Sequence, residues 1–158
     1  MQSTIPRDAL PRTPGTYILR LRVDSPCTVT VGRLGTAALT PGWLLYVGSA
    51  FGPGGLAARI GHHLRPASKP HWHIDYLRAG LELCEIWLCA APERLEHRFA
   101  AALHSAPGSS IPLPRCGASD CRCAAHLFHF AARPVPHLPA AESPAALQVF
   151  TLPRMIQV

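Results

Sequence analysis

The sequence predicts a single-domain α/β fold: a small mixed β-sheet with helices flanking it. Three observations lead there. Short apolar runs rich in β-branched residues alternate with segments of helical period. Glycine, proline and other turn residues separate these runs at short intervals. The chain has 158 residues, 48% hydrophobic and 15% charged, which is enough apolar material for one core.

The elements follow in order. Residues 1–13 form a polar, proline-containing leader. TYILRLRVD (16–24) alternates apolar and polar with period two, marking a strand. CTVTVG (27–32) is a second, β-branched strand. Asp24-Ser25-Pro26 is turn chemistry, so these two strands are expected to pair as a hairpin. RLGTAALTPG is an excursion, and WLLYVG (43–48) is a third strand, apolar enough to lie centrally. The glycine-rich loop GSAFGPGG leads into the helix LAARIGHHL, which Pro66 stops. HWHIDYLRAG (71–80) reads as a short helix closed by Gly80. LELCEIWLCA (81–90) reads as a buried strand. Pro92 is expected to open a helix with Leu95, Phe99 and Leu103 on one face. Residues 106–125 are loop, and HLFHFAA (126–132) is a last short strand. The domain therefore spans 14–132. Residues 133–158 are a proline-rich tail packed on the body or extending from it.

Composition limits the function. No apolar run approaches the roughly 20 residues that cross a bilayer. The N-terminus has prolines and charges where a secretory signal needs an apolar core, so the expected location is the cytoplasm. Six cysteines are few for a disulfide scaffold of this length. Cys27, Cys84 and Cys89 sit in apolar stretches and read as core filler. The net charge of +6 is uneven. Residues 1–65 carry seven Arg and two Asp, net +5, whereas residues 66–158 carry eight basic and seven acidic groups, net +1. A basic half suits a polyanion such as nucleic acid, although it also serves solubility alone.

Several residues stand out. Gly15-Thr16-Tyr17 opens the first strand, and Tyr46-Val47-Gly48 closes the third. Arg59 and His63 lie one turn apart on the helix after the glycine loop, on the same face. If the first and third strands are neighbours, both tyrosines can point at that helix. Taken singly, each has a plainer reading, as sheet tyrosines and a solvated helix face.

Together, GTY, YVGSA, GLAARIGHHL and an acidic residue on the later helix resemble the GIY-YIG nuclease superfamily. The resemblance is nearest to a branch that occurs alone or fused to endonuclease III-type DNA glycosylases. HWHIDYL (71–77) and SDCRCAAHLF (119–128) also resemble recurrent stretches of that branch. The similarity runs from about Pro14 to Phe130. It implies a Mg²⁺- or Mn²⁺-dependent endonuclease that hydrolyses phosphodiester bonds in DNA, in a DNA-repair setting. It further implies Tyr17 as general base, Arg59 on the phosphate, Tyr46 as a hydrogen-bonding partner, His63 assisting proton transfer and Glu96 as metal ligand. Glu93 and Glu85 compete for the ligand role. The chain departs from the superfamily in its long tyrosine-to-tyrosine spacing, which the branch shares, and in having no asparagine. Ser119-Asp120 stands near where that asparagine is expected.

Two further groups carry chemistry. Gly48 and Ser49 are candidate substrate contacts, as are His71 and His73. On a helix, His71 and Asp75 are one turn apart, as are Trp72 and Tyr76. The aromatics are assigned to packing; the histidines are left between substrate contact and a surface pairing of His71 with Asp75. Cys116-x4-Cys121-x-Cys123-x2-His126 has the ligand types for structural Zn²⁺, with a tighter Cys-x-Cys gap than usual. The alternatives to a nuclease are a non-catalytic nucleic-acid-binding module and a zinc-stabilised adaptor for a protein partner.

Overall fold

In the computed structural model, residues 5–138 and 147–154 are described. The first four residues of the leader, and residues 139–146 and 155–158 of the tail, lie outside the described residues. The fold is the expected α/β domain. Its strands are β1 (Gly15–Val23), β2 (Cys27–Val31), β3 (Gly35–Leu39), β4 (Gly42–Ala50), β5 (Glu82–Cys89), β6 (Leu127–Phe130) and β7 (Gln148–Thr151). The helices are α1 (Gly55–His63), α2 (His73–Arg78) and α3 (Glu96–Ser105), with a 3-10 turn at Arg7–Ala9. A five-stranded sheet has the order β6-β4-β1-β5-β7, and β2 and β3 form a separate pair. Among the described residues every ladder is antiparallel.

β1 is the central strand and is buried almost throughout. Its alternation sorts side chains between two cores. Tyr17, Leu19, Leu21 and Val23 face one, together with Leu44 and Tyr46 of β4, Leu56 and Ile60 of α1, and Ile74 and Leu77 of α2. Ile18 faces the other, with Leu45, Val47, Trp87 and the apolar stripe Leu95, Phe99 and Leu103 of α3. Thr16 and Arg20 of β1 therefore do not face water, while Arg22 is part-exposed. Arg20 is 2% exposed and pairs with Glu85 of β5 at 3.3 Å. Trp87 donates its indole N–H to the same carboxylate at 2.6 Å. Glu85 is thereby engaged inside the sheet rather than offered to a metal.

The expected β1–β2 hairpin does not form. After the turn at Asp24-Ser25-Pro26 the chain leaves the sheet, and β2 pairs with β3 from Cys27↔Leu39 to Val31↔Gly35. Val31, Ala37 and Leu39 then complete the first core from outside the main sheet. The excursion at 33–42 thus contains a strand. α3 starts at Glu96, not at Pro92. The leader is not merely polar, because Ile5 and Leu10 are core residues. Its carbonyls at Pro11 and Thr13 accept the N–H groups of Ala57 and Leu56, which have no intrahelical partner at the start of α1. β6 is not the last strand: the tail supplies β7, which pairs with β5 from Glu85↔Thr151 to Leu88↔Gln148.

Candidate active site

The two tyrosines lie on one face of the sheet. β1 and β4 pair with Tyr17 opposite Gly48 and Leu19 opposite Tyr46. Tyr17 and Tyr46 are therefore diagonal neighbours across one ladder, within reach of each other's large side chains. Gly48 makes room for this. A Cβ there would strike Cζ and the hydroxyl of Tyr17, so the ring lies across the bare glycine backbone. This is the physical reason for the glycine two residues after Tyr46. Over Tyr46 lies the turn at Gly117, where a Cβ would come within 2.8 Å of Tyr46 Cε2.

α1 packs on the same face through Leu56 and Ile60 and brings its polar residues to the Tyr17 hydroxyl. The hydroxyl lies 2.7 Å from His63 Nε2. The Arg59 charge bears on the phenol, and its guanidinium lies over Trp72, 4.1 Å from the ring centroid. Such stacking fixes the plane of the guanidinium and adds cation–π attraction. Tyr17, Arg59 and His63 thus meet although they come from two elements.

Burial sets the protonation states here. It raises the Tyr17 phenol well above its usual range, the Arg59 charge pulls the other way, and Glu96 and Asp75 push it further up. Tyr46 is raised likewise, by burial first and by its neighbours Tyr17, Cys116 and Glu96. His63, 1% exposed, is pushed down to about 3, by burial and then by His62. At neutral pH its imidazole is uncharged and shares a hydrogen bond with the Tyr17 hydroxyl.

Glu96 is the first residue of α3, on the opposite side of the sheet from α1. Its carboxylate is 24% exposed, and Oε1 lies 2.8 Å from His126 Nδ1. Burial acts to raise its pKa, but the neighbouring His126, Ser49 and His97 outweigh this and hold the carboxyl below its usual range. The carboxylate is near enough to raise both phenols electrostatically. Ser49 also acts to lower the Glu96 carboxyl, and Glu93 is simply exposed.

The residues at 71–75 take other places than a surface pair. Asp75 is 2% exposed and accepts the backbone N–H groups of His71 and Trp72 at 2.9 and 3.0 Å. Its other oxygen lies 2.9 Å from His62 Nε2, so its ring partner is His62 and not His71. Burial raises the Asp75 carboxyl, but these bonds outweigh it and lower its pKa. Asp75 thereby fixes the start of α2 and the setting of Trp72. His62, His63 and Asp75 bring their donor atoms within 4.8 Å of one another, but both Asp75 oxygens already accept hydrogen bonds. His73 Nδ1 accepts the Gly117 N–H at 2.8 Å, which holds the turn over Tyr46. Trp72 and Tyr76 pack on the core as expected, and Trp72 also serves Arg59.

The cysteine group is arranged differently from its spacing. Cys116 is fully buried in the first core, and burial pushes its thiol up to about 12. Cys121, Cys123 and His126 gather instead with His97 of α3, all four donor atoms lying within 4.8 Å of one another. Among the described residues no helix is long and apolar enough to cross a membrane.

A family model described as "Domain of unknown function DUF123" matches residues 16–146, and the chain belongs to that family. No curated protein and no solved structure matches it.

Proposed function

We propose that this protein is a GIY-YIG-type endonuclease that hydrolyses phosphodiester bonds in DNA with a divalent cation. The observation that supports this reading best is the buried Tyr17 hydroxyl, 2.7 Å from His63 Nε2 and under the influence of the Arg59 charge. Hydrolysis needs a deprotonated water, stabilisation of charge at phosphorus and help for the leaving oxygen. Tyr17 would take the proton from water and pass its own to His63 Nε2. The negative charge of a bound phosphodiester favours the imidazolium that results. Arg59, with its plane held by Trp72, offers a two-pronged fork to phosphate oxygens. Tyr46 shares the face and would hydrogen-bond the nucleophile or a phosphate oxygen.

Glu96 offers a single carboxylate to a hard divalent cation, with Oε1 already against His126. Glu96 is part-exposed, kept ionised, and supplies carboxylate oxygen, the donor that Mg²⁺ and Mn²⁺ prefer. When bound there, the cation would supply Lewis-acid stabilisation of the phosphoryl oxygens.

The contact of Glu96 with His126 favours a second reading, a nucleic-acid-binding module in which that carboxylate only braces the fold. One experiment separates the two: incubation of labelled single-stranded, duplex and branched DNA with Mg²⁺ or Mn²⁺. The nuclease reading expects cleavage that is lost in Arg59→Ala and Glu96→Gln. Salt-sensitive binding without cleavage under either ion selects the module. Cleavage that survives both substitutions would show that the catalytic residues lie elsewhere.

A further inference from the structure

We propose that His97, Cys121, Cys123 and His126 form a tetrahedral structural zinc site that ties the 115–126 loop to the first turn of α3. This does not rest on the nuclease reading. The four donor atoms converge within 4.8 Å of one another. Cys121 Sγ and His126 Nε2 are 3.5 Å apart. Zinc bonds of about 2.3 Å to sulfur and about 2.0 Å to nitrogen at tetrahedral angles give an edge of about 3.5 Å.

The orientation of His126 points the same way. Its Nδ1 lies 2.8 Å from a Glu96 oxygen, at ion-pair distance without hydrogen-bond alignment, while Nε2 lies 3.5 Å from Cys121 Sγ. A carboxylate behind one ring nitrogen while the other takes the metal is the usual setting of a zinc histidine. The loop is also held ready by bonds that need no ion. Arg115 donates its guanidinium to the carbonyls of Cys121 and Cys123. Its own N–H reaches the Ala124 carbonyl at 2.7 Å, and the His126 N–H reaches the Cys116 carbonyl at 2.8 Å.

The donor set selects the metal. Two thiolates and two imidazoles suit zinc and not Mg²⁺. On binding, each of Cys121 and Cys123 gives up its thiol proton and forms a sulfur–zinc bond, so two protons are released and a neutral centre results. The ligand set differs from the sequence-adjacent one in that His97 of α3, 24 residues before Cys121, stands in the place of Cys116. The site thereby fixes the ring against which Glu96 rests, making a link between the metal and the candidate active site.

The test uses the full chain, stripped of metal and titrated with Zn²⁺ against a chromophoric chelator, then with Co²⁺. About one equivalent of zinc per chain is expected, and the Co²⁺ form should show tetrahedral bands and charge transfer from two thiolates. Cys121→Ser, Cys123→Ser and His97→Ala should each weaken zinc binding by at least about 100-fold, while Cys116→Ala and Arg59→Ala bind as the parent does. Absence of stoichiometric zinc in the parent overturns the proposal. So does loss in Cys116→Ala with retention in His97→Ala. If a cysteine variant fails to fold, the Co²⁺ spectrum of the parent decides, because a centre without thiolate charge transfer overturns the assignment. None of these readouts uses DNA cleavage, so failure of the nuclease reading leaves the result intact.

Discussion

The Tyr17 hydroxyl and His63 Nε2 lie 2.7 Å apart across 46 residues of sequence, with the phenol protonated and the imidazole neutral. Tyr17→Phe keeps the ring over Gly48 and removes only the oxygen. We expect DNA cleavage to fall by about 100-fold or more, the usual range for a lost general base. Leaving His63 unpartnered should cost about 1 to 3 kcal/mol, read from urea unfolding. Unchanged cleavage would remove Tyr17 from the chemistry.

Gly48 is required by Tyr17 and not by its own backbone angles, since it is absent from the positive-φ residues. Gly48→Ala should therefore destabilise the fold by about 1 to 3 kcal/mol through overpacking. In a Tyr17→Ala background the same substitution should be nearly neutral. A double-mutant cycle with coupling below about 0.5 kcal/mol would show that the ring does not meet the glycine.

His63 also makes stability depend on pH. Burial lowers its folded-state value to about 3, against about 6.5 when unfolded. Between these values the unfolded chain binds the extra proton, so stability falls as pH drops from about 6.5 toward 3. Above about 6.5 the group contributes no slope. His63→Gln should flatten the stability profile in that window by up to about 1.4 kcal/mol per pH unit. Denaturant midpoints measured at pH 4.5 and 7.5 on both proteins check this.

Trp72 positions Arg59 without belonging to α1. Trp72→Leu keeps apolar bulk and removes the π-face 4.1 Å from the guanidinium. A loss of about 1 kcal/mol in the cation–π contact corresponds to about a fivefold drop in cleavage efficiency. Arg59→Ala should lose about 100-fold or more. If the two variants behaved alike, Trp72 would touch substrate itself.

Much of this arrangement is legible from residue pattern. The β1 and β4 runs, the helix between Gly55 and His63, and the buried β5 strand all show in apolar periodicity and stop residues. Pairing is less legible. Asp24-Ser25-Pro26 is good turn chemistry, but a turn does not specify which strands it joins, and β2 pairs with β3 instead. Arg20 is a polar position in the alternation of β1, yet it is buried against Trp43 and paired with Glu85, which comes from 65 residues further along the chain. Asp75 reads as a surface partner of His71, but the fold buries it against His62. His97 gives no signal at all. It sits on an exposed helix position far from the cysteines, and only the folded chain brings it to them.

The family match ends at residue 146, just before β7. The strand that completes the sheet beyond β5 therefore lies past the matched segment. A chain cut there would keep Tyr17, Tyr46, Arg59, His63 and Glu96. It would also bare the Glu85–Leu88 stretch that β7 caps, a flat row of amide and carbonyl groups on an apolar strand. An unpaired edge of that kind is a template for a second copy, and in the intact fold β7 covers it.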